Sequence, residues 1–353
     1  MTSIDLKAIF VIGIVEKEAK IMVTLYDVAK LAGVSPKTVS RVINESPLVA
    51  DKTRQRVLEA IKELDYHPNA IAASLKRNRS NMIGFVIPYG SEFVFQDPNM
   101  MEQLRGAHDY LTAEGFELIV TAPIYKKDAL QEAVRLTKNR NVDGVILYPS
   151  SGVDEIINEF KEKNFRYVTL GICFDKQENN FIEVDQATGS LLATRHLLSL
   201  GHRKIGLMNK PRSFFMYNRD DLLMGYISAL KEAGIEFIPS LVREGDFTFE
   251  GGYRKFQNLI EENPDLSAVI CASDPMTYGV IKAIHDRGLE IKREIEVVAG
   301  DNLPLTQKLF PELSSITNPS YEQGRLAGKM IVAIINENRE FPGITLKTEL
   351  VIR

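Results

Sequence analysis

The chain has 353 residues, 44% of them hydrophobic and 25% charged, which is globular composition and length for two or three domains. Its two cysteines, Cys173 and Cys271, give neither a disulfide framework nor zinc spacing, and its five histidines are scattered, so no metal-ligand cluster is expected. The net charge of −4 is uneven: residues 22–79 hold ten Lys/Arg against six Asp/Glu, residues 1–21 hold three of each, and the remainder is acidic. A basic head on an acidic body suits a head aimed at phosphates and a body that does not adhere to nucleic acid.

Residues 1–21 contain AIFVIGIV, followed at once by EKEAK and lacking a small-residue cleavage site. Eight apolar residues are too few to span a bilayer and do not make a signal peptide. No other run approaches the length of a membrane helix, so the start reads as a loosely held extension or the product of an upstream start codon.

TLYDVAKLAGVSPKTVSRVIN, residues 24–44, reads as two short helices and a turn. Thr24 can cap the first, in which Leu25, Val28, Ala29 and Ala32 fall on one face. Gly33 supplies the turn, since a residue without Cβ takes positive φ at little cost. Ser35 is the second cap, and Pro36 sits at the first helical position, where its missing N–H costs nothing. Val39, Val42 and Ile43 face inward, leaving Lys37, Thr38, Ser40, Arg41 and Asn44 outside. A helix with two cations and short polar groups on one face fits a major groove, although a plain helical hairpin has the same pattern. A third helix is expected over Asp51–Tyr66, with Val57, Leu58, Ile61 and Leu64 closing a three-helix core. Thr53 and Arg54 at its start are within reach of a phosphate or of solvent. Pro68 then breaks the helix, Asn69 can cap a new one, and AIAASL is too short to be a stable helix alone, so by composition this is a linker.

TLYDVAK with AGVSPKTVSRVIN, continuing through VADKTRQRVLEAIKELDYHPNAIAASL, resembles the head of the lactose-repressor (LacI/GalR) family. A looser similarity runs to the C-terminus, covering about residues 22 to 353. The resemblance implies that Pro36, Lys37 and Arg41 face bases. It also implies DNA contacts from Thr24, Leu25, Tyr26, Ser35, Thr38, Ser40, Asn44, Thr53 and Tyr66. The linker becomes a hinge helix that folds on operator DNA and drives a leucine into the minor groove. Leu75 occupies that leucine's place, and Asn69 and Ala72 match. Ala73 departs from the frequent Arg or Gln, which weakens a minor-groove hydrogen bond, with Lys76, Arg77 and Arg79 just beyond.

From Met82 the pattern changes to βα alternation. Strand-like runs are MIGFVIP, FELIVTA, VDGVILYP, RYVTLGI, KIGLMN, SAVICAS and IEVVAG. Helical patterns cover 100–114, 129–138, 153–163, 187–200, 222–233, 252–261 and 277–287. This is a parallel, doubly wound arrangement, enough for two sheets. The resemblance implies a two-lobed body like the type I periplasmic binding proteins. The chain would cross near Val184–Ala187 and Asn318–Pro319 and return at Pro342–Ile344.

Ligands in such sheets bind at the carboxyl ends of the strands, here between the lobes. After the first strand comes PYGSEFVFQDPNM, without a dinucleotide fingerprint. Phe93, Phe95, Gln96 and Asp97 offer aromatic faces and hydrogen-bonding groups, as a sugar site needs, or form plain loop. By resemblance, Phe247 stacks on a sugar, and Ser273 with Asp274, and Asp301 with Asn302, stand at strand ends where a carboxylate accepts vicinal hydroxyls. The family's R-x-x-G-[FY] motif is broken: Leu222 precedes Gly225–Tyr226, and Arg219, beside Asp220 and Asp221, is the nearest substitute.

The fold class is therefore α/β: a three-helix helix-turn-helix head plus a two-lobed, doubly wound parallel-sheet body. Expected divisions are 1–21 extension, 22–68 head, 69–80 hinge and linker, and 81–353 body. Within the body the first lobe takes about 81–184 and 319–342, the second about 185–318 and 343–353. The expected protein is a cytoplasmic, homodimeric repressor of carbohydrate genes that binds double-stranded operator DNA and is released by a sugar-type small-molecule effector, with no cofactor and no membrane partner. Co-repression by an effector or partner protein is the alternative, followed by a solute receptor, which the DNA head argues against. No G-x-S-x-G elbow, P-loop or metal cluster supports an enzyme.

Overall fold

The structure, a computed structural model, describes residues 23–44, 46–66, 79–89, 95–122, 131, 135–136, 141–148, 153–171, 179–212 and 219–353. The extension 1–21 and the expected hinge residues 69–78 lie outside them. The chain divides into two compact units, Met1–Asn78 and Arg79–Arg353.

The first unit contains α1 (Leu25–Ala32), α2 (Pro36–Ile43) and α3 (Asp51–Glu63). Each start is set by local chemistry. The Thr24 hydroxyl accepts the Asp27 N–H at 3.4 Å, and Asp27 accepts the Thr24 N–H in return at 2.8 Å, a reciprocal box that satisfies two orphan donors. Gly33 ends α1 at φ 64, and the Ser35 hydroxyl caps α2 by accepting the Thr38 N–H at 3.2 Å. Val28, Ala29, Ala32, Val39, Val42, Val57 and Ala60 fill the core. Leu58 does not join them and is 50% exposed: at 100° per residue, Val57 and Ala60–Ile61 take the inner face and leave Leu58 on the flank. Helix α3 also stops earlier than expected. Asp65 turns the chain at φ 48, the Tyr66 N–H bonds back to the Ile61 carbonyl at 2.9 Å, and the Tyr66 ring is buried in the core.

The second unit holds two parallel sheets. Strands β1 (Met82–Val86), β2 (Glu117–Thr121), β3 (Gly144–Leu147) and β4 (Tyr167–Thr169) form one in the order β2-β1-β3-β4, with Ile83 opposite Leu118 and Gly144. After β5 (Ile182–Val184) come β6 (Ile205–Asn209), β7 (Val242–Glu244), β8 (Ala268–Cys271), β9 (Glu296–Ala299), β10 (Ser314–Ile316), β11 (Ile344–Leu346) and β12 (Leu350–Val351). The second sheet runs β12-β10-β9-β8-β6-β7, with β12 antiparallel, while β5 and β11 pair in parallel between the sheets' stretches of chain. The short strands β5, β7, β10, β11 and β12, of two or three residues, are too brief for a period-2 pattern to mark.

Helices cover both faces of each sheet, as alternating burial requires. On the first sheet, Ile83, Phe85 and Ile87 pack on α4 (Pro98–Ala113) and on α11 (Ser320–Glu337), while Val86, Val145 and Leu147 pack on α5 (Val153–Glu162). On the second, Ala268 and Ile270 face α6 (Gln186–Ser199) and α7 (Asp221–Glu232), and Val269 and Cys271 face α8 (Phe249–Glu262) and α9 (Asp274–Asp286). The short α10 (Pro304–Leu309) follows β9. Each α/β layer set is a lobe. Helices α4 and α11 approach so closely that a Cβ on Gly106 would stand 1.9 Å from the Tyr321 carbonyl oxygen. The chain passes from the first lobe's layers to the second's around β5 and α6, returns between β10 and α11, and ends on β12 in the second sheet.

Candidate functional site

In the head, the packed inner stripe of α2 leaves its other side outward. Lys37 and Arg41 are exposed, and Pro36, Thr38 and Ser40 are half-buried beside them. Local bonds order these groups: the Ser35 and Thr38 hydroxyls lie 2.9 Å apart, and the Asn44 amide donates to the Ser40 carbonyl at 2.6 Å. Thr24 is exposed, Leu25 packs at the edge of the core, Thr53 is half-buried, and Tyr26 is 72% exposed, unusual for so large a ring. The Tyr66 ring packs into the core of the head. Arg54 is likewise committed, its guanidinium donating to the Ser46 carbonyl at 2.6 Å. Asn69, Ala72 and Leu75 lie outside the described residues.

In the body, a cleft opens between the two lobes with an open volume of about 1070 Å³, counting solvent at its mouth. Asp97, Asn99, Gln103 and Tyr148 come from the first lobe, and Lys210, Phe247, Ser273 and Asp301 from the second. Glu183 and Gln186 stand where the chain passes between lobes, and Asn318 and Gln323 where it returns. Several of these are helix caps, because the helices begin two or three residues ahead of their apolar periodicity. Asp97 caps α4, accepting the Asn99 and Met100 N–H groups at 2.8 and 3.4 Å. Ser273 caps α9, accepting the Met276 N–H at 3.4 Å. Phe247 sits at φ 61, in the left-handed region, just before Thr248 caps α8. Such backbone is costly for a bulky residue and aims its side chain off the normal strand-to-helix path.

Asp301 follows β9 and is 3% exposed. One carboxylate oxygen accepts the Asp274 N–H at 2.9 Å, the other the Asn318 amide at 3.0 Å. Burial, then the neighbouring Asp274 charge, pushes its pKa upward. Burial also raises Asp97, Glu183 and the Tyr148 hydroxyl. Arg219 reaches the cleft wall but is paired, with Asp221 at 3.1 Å and Glu183 at 3.8 Å. Asp220 instead caps α7 through the Leu223 N–H at 3.2 Å and accepts from the Asn209 amide. Burial depresses Lys210, whose ammonium donates to the Gln186 side chain at 3.1 Å.

Asp274 corrects the sequence reading. It is fully buried and absent from the cleft wall. Its oxygens accept the Asp301 N–H at 3.1 Å, the Leu303 N–H at 2.9 Å and the Thr306 hydroxyl. It therefore braces the loop that carries Asp301. Asn302 faces away as well, its side-chain oxygen taken by Arg353 at 2.7 Å. Gln96 is exposed ahead of α4 and does not line the cleft, and Phe95 is 63% exposed. Phe93 and Cys173 lie outside the described residues. Cys271 is buried and its thiol is pushed up to about 12, so it is inert. Among the described residues no cluster of His, Cys, Asp and Glu could hold a metal, and no helix is long and apolar enough to cross a membrane.

Sequence reasoning missed Tyr148, Lys210, Glu183, Gln103 and Gln323. The first two directly follow β3 and β6, so the carboxyl-end rule would have found them. Gln103 and Gln323 bond at 2.7 Å across 220 positions, and nothing local announces that.

Residues 24–69 match the family described as bacterial regulatory proteins, lacI family, and residues 80–349 match periplasmic binding proteins and sugar binding domain of LacI family. The chain is 32% identical over 334 residues to the ribose operon repressor of Haemophilus influenzae, covering 94% of this chain and 98% of that one. Its fold is similar to a lac repressor dimer bound to operator and the anti-inducer ONPF, with a TM-score of 0.82 at 27% identity, over 94% of this chain and 98% of that one. It is also similar to a CelR–cellobiose complex, with a TM-score of 0.71 at 29% identity, over 94% and 99% of the two chains.

Proposed function

The chain belongs to the lacI family of bacterial regulatory proteins and is a DNA-binding transcriptional regulator; from that premise we propose that it represses carbohydrate-utilisation genes in the cytoplasm and leaves its operator when a sugar-type effector enters the cleft. The observation that carries this reading is that Asp97 from one lobe and Asp301 from the other line a single cavity. A ligand held by both favours one relative arrangement of the lobes, and it shifts the protein only by that differential affinity. Carboxylates accepting hydroxyls, with Phe247 offering a ring face, make a carbohydrate the fitting ligand. In this reading Arg219, held by its acidic neighbours, orders the cleft wall.

In the head, Lys37 and Arg41 read base edges, with Pro36 packed against them. Thr24, Tyr26, Ser35, Thr38, Ser40, Asn44 and Thr53 set the register on phosphates. Asn69, Ala72 and Leu75 extend the contact into the minor groove. The lac repressor of known structure is a dimer on its operator; a homodimer of this chain would read a pseudo-palindrome with two-fold symmetry.

The test is a gel-shift of the full chain against genomic fragments, repeated with sugars. Retention of particular fragments, relieved by a sugar, is the expected result. Equal retention of all fragments, or of none, overturns the reading.

A further inference from the structure

We propose that the effector is an uncharged polyhydroxyl compound and that the cleft rejects phosphorylated and carboxylated sugars. This rests on the reading of the cleft as the effector site and concerns the charge its ligand carries.

The first observation is the charge of the wall. Among the described lining residues, Asp97, Glu183, Asp221 and Asp301 face two cations, Lys210 and Arg219. Both cations are engaged: Arg219 with Asp221 and Glu183, Lys210 with Gln186 and surrounded by Asp220, Asp221 and Glu183. Burial raises both Asp97 and Asp301, Asp274 and then Asp97 add to the shift of Asp301, and no cation offsets either of them. A phosphate brought here meets carboxylates, and the guanidinium that would hold it is already paired.

The second observation concerns backbone donors. Helix N-termini are the usual alternative anion sites, because their first N–H groups are unsatisfied and the dipole favours negative charge. Four of those around this cleft are closed by the chain's own side chains, while α11, whose Gln323 lines the cleft, begins without a side-chain cap. Asp97 takes the first donors of α4, Asp185 of α6, Asp220 of α7 and Ser273 of α9. Three of those four caps are themselves carboxylates, which use the dipole that an anionic ligand would need.

The third observation is an unmet acceptor. The Gln323 amide donates to the Ile182 carbonyl at 2.8 Å, which fixes its oxygen toward Gln103. Gln103 must therefore donate with its own nitrogen, at 2.7 Å, and its oxygen is left buried with no partner among the described residues. Burying an acceptor unpaired costs free energy. Gln103 belongs to the same wall as Asp97, so this end of the cleft presents acceptors that a ligand's hydrogen-bond donors would satisfy. Hydroxyl groups donate; phosphate and carboxylate oxygens do not.

The experiment is calorimetry and thermal shift on the full chain at constant ionic strength, with matched probes: glucose and glucose 6-phosphate, ribose and ribose 5-phosphate, cellobiose and cellobionate. The expected result is that an uncharged member binds and its charged partner binds about a hundredfold or more weakly, as like-charge juxtaposition at an interface implies. The paired substitutions Glu183→Gln and Asp221→Asn free Arg219 and should bring the phosphorylated partner to within about tenfold of the neutral one, again by the removal of like charge. A phosphorylated sugar that binds the parent chain as tightly as its neutral partner overturns the inference while leaving the carbohydrate reading intact. A preference that persists unchanged in the double variant overturns its assignment to these charges. No response to any probe, charged or neutral, counts against the carbohydrate reading itself and takes this inference with it.

Discussion

The head and the cleft present their polar groups in opposite ways. In the head, apolar residues at helical spacing fill the core, and Lys37 and Arg41 stand in solvent because packing has no use for them. In the cleft, Asp97, Gln103 and Asp301 are drawn in from distant parts of the chain and held by caps, amides and a buried second carboxylate. A working group in solvent can be removed without touching the fold. A working group that is buried is part of the fold, so its removal changes binding and stability together. The contrast is sharpened or broken by the following substitutions.

The largest effect is expected from Asp274→Ala. It strands the buried N–H groups of Asp301 and Leu303 and the Thr306 hydroxyl, and at about 1–3 kcal/mol for each unsatisfied group the body should lose about 3 kcal/mol or more. Denaturant unfolding checks this, and a loss under 1 kcal/mol would show that the brace is not structural. Lys37→Ala comes next. It should cost about 1–3 kcal/mol of operator affinity at particular base pairs and leave the melting temperature unchanged. If the loss is the same on every sequence, Lys37 holds a phosphate and does not read a base.

Ser35→Ala removes the cap of α2 and should lower the stability of the head by about 1 kcal/mol. An unchanged melt of the head would mean that water replaces the hydroxyl. The last effect is a pH slope. Burial and Asp274 raise Asp301 from its ordinary 3.8 to about 7. Because the folded state then holds this proton to higher pH than the unfolded state does, the contribution of Asp301 to stability falls as pH rises through that window. Asp301→Asn removes the slope, so the stability of the parent chain relative to this variant should decline between pH 5 and pH 8. A parent that gains on the variant over that range would reverse the sign.

The same contrast explains what could be read from sequence. The caps, the turn and the inner face of the head all act within four residues of one another, so Thr24, Gly33, Ser35 and Val39 announce themselves. The end of α3 was misplaced because the sequence does not show that Asp65 turns the chain back onto the core. In the body, the long buried strands were legible as apolar runs, Asp301 as a strand-end carboxylate, and Asp97 as a polar group in the loop after β1. Asp274 carries the same local signal as Asp301, yet it turns away from the cleft to meet Leu303 and Thr306. That choice is made by the neighbouring loop after β9, which no spacing around Asp274 reveals. Gln103 was invisible because its partner is on α11.

The central claim is that one ligand, held between the lobes, is felt at the operator. By linkage, the operator must weaken the effector's binding by the same factor by which the effector weakens the operator's. The most direct test is Asp301→Ala, followed by operator titrations with and without the sugar that releases the parent chain. The account predicts near-normal operator affinity in the absence of sugar and no release at concentrations that free the parent. Release of the variant at the parent's sugar concentration would contradict it, because Asp301 would then play no part in holding the effector.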